Sequence, residues 1–106
     1  MVFEGGTSLS SDRRIKENIQ PTDVVALDDI DDFNFVQFDM IKTGIHTEIG
    51  MIAQDAGRLR VIDETEGIDL QGSIMLALKG VQELHQIIKT QQEKIDLLEE
   101  RLNEKG

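Results

Sequence analysis

Residues 74–102 read IMLALKGVQELHQIIKTQQEKIDLLEERL, and one heptad frame runs through them unbroken. Ile74, Val81, Ile88, Ile95 and Leu102 fall at a, and Ala77, Leu84, Gln91 and Leu98 fall at d. The pattern predicts one long helix over 72–104. Met75, Leu76, Leu78 and Ile87 widen the apolar surface of its first half, so that half is expected to pack on a globular part as well. The second half carries only the narrow seam and extends alone. A helix of about thirty residues measures roughly 45 Å, whereas a compact domain of this size has a radius of gyration near ~13 Å. So small a domain cannot cover such a helix, and the seam is expected to meet parallel copies of itself. Ile at a with Leu at d favours two strands, but Ala77 and Gln91 at d weaken that inference and the broad apolar face suits three or more. The heptads alone leave dimer against trimer open. Lys94 at g and Glu99 at the following e are placed for an interchain ion pair that sets register more than it adds energy.

The rest of the composition fits a small partner to that helix. The chain has 106 residues, enough for one domain, and its four aromatics are all Phe, which makes for a thin core. A net charge of −10 argues against nucleic acid and against an anionic membrane surface, since both need clustered Lys and Arg. With no cysteine there is neither a disulfide framework nor a thiolate metal site. No apolar run reaches the length of a membrane span, and Met1–Gly6 lacks the basic and apolar regions of a signal peptide.

Upstream of the helix, the sequence reads as short elements. Gly5, Gly6, Thr7, Ser8 and Ser10 disfavour regular structure in residues 1–10. Ile15 and Ile19 lie four apart and predict a short helix that Pro21 ends. Thr22 is placed to cap a second helix over 23–33, with Val24, Leu27 and Ile30 as its apolar stripe. From Asn34 the period becomes two, and Lys42-Thr43-Gly44 supplies a turn, giving a hairpin of 34–41 with 45–52. A helical turn or two is expected over 53–59, then short extended pieces around the acidic turn Asp63–Gly67. The fold class is α+β, mainly α: short helices and a β-hairpin, followed by the long helix.

Ser11-Asp12-Arg13-Arg14-Ile15-Lys16-Glu17-Asn18-Ile19 is where chemistry is expected. A serine is a nucleophile when a neutral lysine takes its proton, which requires a lysine pKa brought from about 10.4 towards 7. Burial or a neighbouring cation such as Arg13 or Arg14 acts in that direction, and Asp12 acts against it. In a continuous helix, Asp12 and Lys16 would pair at i, i+4, with Ser11 as the N-cap, a plain surface arrangement. Five residues also place Ser11 and Lys16 roughly 140° apart around a helix axis. For the two to act together, Ser11 must precede the helix, or the partners must come from neighbouring chains.

Taken in order, the Ser-Asp-x-Arg-x-Lys-x-Asn-Ile motif, the Phe38-Asp39 segment, Ile49-Gly50-Met51-Ile52-Ala53-Gln54-Asp55 and the terminal heptad helix resemble a known family. This is the C-terminal intramolecular chaperone domain of endosialidase-type phage tailspikes and neck-appendage fibres, also found in myelin-regulatory-factor-type membrane-bound transcription factors. The resemblance runs from Ser11 to about Leu102, with Phe38 where a tyrosine is usual and no proline near Arg58-Leu59-Arg60. It implies a homotrimer, joined along a parallel coiled coil, that templates the folding of an upstream fibre of the same polypeptide. A Ser–Lys dyad then cuts the domain off. By position, Ser11 would be the nucleophile, Lys16 the general base and Ser10–Ser11 the scissile bond, with Asp12, Arg14 and Asn18 at supporting motif positions. The implied organisation is 1–10 upstream of the cut, 11–71 globular and 72–104 coiled coil, with no cofactor or metal. The setting is the host cytoplasm during virion assembly, with the domain absent from the mature fibre. The transcription-factor branch would require a membrane span beyond the domain, so a viral fibre end is the expected context.

Competing readings are weaker. A non-enzymatic trimerisation or attachment module is the main rival. Lys42-Thr43-Gly44 has no Ser-x-x-Lys companion, the Asp28–Asp32 and Asp63–Glu66 runs lack calcium-loop spacing, and His46 with Glu48 is too few ligands for a metal. His85, at an e position, reads as a partly exposed helix residue.

Overall fold

The computed structural model describes residues 10–105; residues 1–9 of the upstream stretch lie outside them. A small helix-and-hairpin region comes first, and one helix of 36 residues, Leu70–Lys105 (α2), completes the chain. Its start is fixed by Asp69, whose carboxylate accepts the Gly72 N–H at 2.9 Å and whose carbonyl accepts the Ser73 N–H at 2.9 Å. The helix gives the chain an extent of 68 Å and a radius of gyration of 20.6 Å, well above the ~13 Å of a compact chain of this size.

The hairpin forms where the alternation predicts it. Strand β1 (Val36–Asp39) pairs antiparallel with β2 (His46–Gly50), Phe38 opposite Thr47 and Val36 opposite Gly50, with an irregularity between these pairs. Gly44 closes the turn at φ +70°, its N–H bonded to the Met40 carbonyl at 2.8 Å. Two 3₁₀ turns follow, Ala53–Asp55 and Gly57–Leu59, and then the small antiparallel pair β3 (Arg60–Val61) and β4 (Gly67–Ile68) around the acidic turn. Glu66 ties these pieces together by accepting from Arg60 Nε at 2.8 Å and from the Gln54 amide.

Two upstream expectations are corrected. The helix expected over 23–33 shrinks to α1, Ala26–Asp31, and Thr22 does not cap it; its hydroxyl accepts the Val24 N–H at 3.2 Å. The β-branched pair Val24-Val25 stays outside the helix, with Val25 extended. The cap comes from the far helix instead. The Glu83 carboxylate accepts the N–H groups of Ala26 at 2.7 Å and Leu27 at 2.9 Å. The helix expected around Ile15 and Ile19 is a single 3₁₀ turn, Arg13–Ile15.

The core is as thin as the aromatic count implies. Ala26, Ala56, Leu59 and Leu76 are buried, with Val24, Ile30, Phe33, Met51 and Ile68 packed around them. Helix α1 lies on α2 at Gly80, where an added Cβ would stand 2.8 Å from Ile30 Cδ1. The globular part thus covers the flank of α2 that carries Leu76, Gly80 and Glu83, heptad positions c, g and c. The a/d edge lies roughly a third of a turn away and stays open: Ile74, Val81, Leu84, Ile88, Ile95, Leu98 and Leu102 are all exposed.

Candidate functional site

The segment around Ser11 takes its shape from Asp12. Asp12 is extended, caps the 3₁₀ turn by accepting the Arg14 N–H at 2.8 Å, and grips the Arg14 guanidinium at 2.7 Å through Nη2. The Arg14 side chain, followed by its backbone N–H, holds the Asp12 carboxyl below the usual range, while Asp12 raises Arg14. The turn ends at Lys16, whose N–H bonds the Arg13 carbonyl at 3.1 Å and whose backbone is extended. Asn18 then takes φ 52°, a left-handed conformation that its short polar side chain tolerates. The chain cannot continue as a helix into Pro21, because the residue before a proline is pushed to extended backbone.

This path decides the neighbours. Ser11 is not the N-cap, and Asp12 pairs with Arg14 rather than with Lys16. Lys16 folds back instead, and its Nζ lies 2.8 Å from Ser11 Oγ within the same chain. Both residues are exposed, as is Ser10. The nearby apolar residues Ile15 and Ile19 are also exposed, at 67% and 55%. The arm thus holds a serine and a lysine in hydrogen-bond contact beside apolar side chains that the described residues leave more than half exposed.

Elsewhere the polar groups are structural. His46 is tied to the opposite strand: its Nδ1 lies 2.6 Å from Asp39 Oδ1 and its Nε2 lies 3.2 Å from Gln37 Oε1, all on the hairpin. Among the described residues no cluster of three His, Cys, Asp or Glu side chains is placed to hold a metal, and no helix is long and apolar enough to cross a membrane. Arg58 pairs with Asp29 and joins α1 to the second 3₁₀ turn. Glu83 is the residue that sequence reasoning missed. Its carboxyl is pulled down to about 2, first by Lys79 at 2.7 Å and then by the Leu27 and Ala26 N–H groups. The sequence held a faint sign of it: a short acidic helix with no Ser, Thr, Asp or Asn directly before Ala26 needs a cap from elsewhere.

These features define a small α+β module docked on one flank of a long helix, with a Ser–Lys contact on an exposed arm. The family model described as chaperone of endosialidase matches residues 11–64, from the Ser11 arm through the β1–β2 hairpin and β3, stopping short of β4 and α2. The chain belongs to the chaperone-of-endosialidase family. No curated protein and no solved structure matches it.

Proposed function

We propose that this chain is an intramolecular chaperone that trimerises through α2, templates the folding of a phage tailspike or tail fibre upstream of it, and then releases itself by autoproteolysis at Ser10–Ser11. The observation that carries the reading is the 2.8 Å contact between Lys16 Nζ and Ser11 Oγ inside the family-matched segment. Along such a contact a neutral lysine accepts the hydroxyl proton. Ser11 Oγ attacks the Ser10 carbonyl carbon, a C–O bond forms, the Ser10–Ser11 C–N bond breaks, and the proton passes from Lys16 to the freed Ser11 amine. Water then hydrolyses the ester and separates the pieces. Asp12, Arg14 and Asn18 act as positioning residues: the first two keep the Asp12 carboxylate away from Lys16, and the third turns the chain.

Assembly supplies what the single chain lacks. Lys16 is exposed beside uncovered Ile15 and Ile19, and burying that arm between copies would favour the neutral amine. The open a/d edge of α2 supports parallel self-association. Three joined chain ends align the fibre strands at high effective concentration, and removing the template leaves a fibre that persists by its kinetic barrier. The reading places the domain in the host cytoplasm during virion assembly and outside the mature fibre. The same exposure of Lys16 favours a second reading, a trimerisation module with no cleavage. A gel of the domain fused to an upstream fibre separates the two. The first reading expects a released fragment that disappears in Ser11→Ala and in Lys16→Ala; a band pattern unchanged by both substitutions contradicts it.

A further inference from the structure

The globular part does not seal against α2 on the side nearest the heptad seam. A cavity of about 220 Å³ opens there, walled by Ile30, Phe33, Phe35, Met51, Ser73 and Ala77 among others. Ser73 is its one polar wall residue, and that hydroxyl is already donated to the Asp69 carbonyl at 2.6 Å. What remains is an apolar socket rimmed by Phe35, which is 57% exposed and stands edge-on to Phe33 at 86° with centroids 6.5 Å apart. In the heptad frame, Ser73 is a g residue and Ala77 a d residue, so the socket faces the g side of the seam. The other side of the same helix carries exposed apolar residues: Leu78 at e is 59% exposed and Met75 at b is 52% exposed.

We propose that a second copy of this chain inserts Leu78 into this cavity, so that each globular part grips the helix of its neighbour. The proposal rests on the parallel self-association argued above, and register makes it specific. In parallel helices the g flank of one chain faces the e flank of the next, each g residue meeting the e residue five positions on. Ser73 therefore meets Leu78 of the neighbour, the same offset that pairs Lys94 with Glu99. Ala77, too small to fill its own d layer, leaves the socket open to the seam. The contact is head-to-tail, each chain giving Leu78 on one flank and receiving it on the other, and such a contact closes in a ring of three. It links assembly of the helix directly to α1 through Ile30 and to the core through Leu59 and Met51, which the coiled coil alone does not touch.

The test replaces the exposed rim residue with a photoreactive one, Phe35→p-benzoylphenylalanine. Equal amounts of unlabelled and isotope-labelled chains are co-folded, irradiated and digested, and the native mass is measured on the same sample. The expected result is a cross-link to Leu78 or the adjoining Met75, with about half of the cross-linked product joining labelled to unlabelled chains, as random mixing in a closed ring requires. Cross-links confined to one chain, or interchain cross-links only to other residues, in a particle of several copies overturn this inference and leave the proposed function standing. A single-copy mass overturns both.

Discussion

Asp12 shows how one side chain decides whether a serine and a lysine meet. Held by Arg14 at 2.7 Å, it is not available to Lys16, which turns to Ser11. Replacing Arg14→Ala frees the Asp12 carboxylate to compete for the ammonium form, so the pH–rate profile of self-cleavage should move to higher pH. Arg14→Lys should restore it only partly, because an ammonium cannot reproduce the planar fork. An unmoved profile would remove Asp12 and Arg14 from the account. Glu83 makes a second prediction at this scale. Its carboxyl lies at about 2 against an ordinary 4.5, so the charged form stabilises the fold above pH 4.5, and that contribution is lost as pH falls towards 2. Glu83→Ala should lower the Tm by about 5 °C at neutral pH, and the gap from the unaltered chain should close between pH 4.5 and 2 in thermal melts.

Among the elements, those governed by local pattern were legible in the sequence and those governed by distant partners were not. The hairpin, the acidic turn and the long helix follow from period and turn residues: the hairpin expected over 34–41 and 45–52 pairs over Val36–Asp39 and His46–Gly50, and the helix expected over 72–104 runs Leu70–Lys105. Helix α1 ends up shorter than its stripe of Val24, Leu27 and Ile30 implies, because its first turn is capped by Glu83 across the fold and not by Thr22. In the Ser11 arm, Ile15 and Ile19 match helical spacing although the chain makes only a single 3₁₀ turn, because the capping choice of Asp12 and the left-handed Asn18 leave no trace in periodicity. The Ser11 and Lys16 pair was legible by type and motif, and the requirement that Ser11 stand outside any helix was legible from spacing. The hairpin turn carries its own test. Gly44 sits at φ +70° with open space where a Cβ would point, so Gly44→Ala should cost about 1 kcal/mol through backbone strain alone, read as a shift in urea midpoint with an unchanged slope.

At the scale of the whole molecule, two faces of one helix are put to different uses. The c/g flank of α2 takes the globular part through Leu76, Gly80 and Glu83, and the a/d edge is left open along its length. A radius of gyration of 20.6 Å records how much of that helix the small core cannot cover. The central claim is that assembly along the open edge arms the cut at Ser10–Ser11. Native mass spectrometry of the domain joined to an upstream fibre, with and without Ile88→Asp in the middle of the seam, tests it most directly. The account predicts a trimer whose domain chains begin at Ser11 in the unaltered protein, and an uncut single chain in the variant. A variant that is cut as a single chain, or an unaltered trimer that stays whole at Ser10–Ser11, would contradict it.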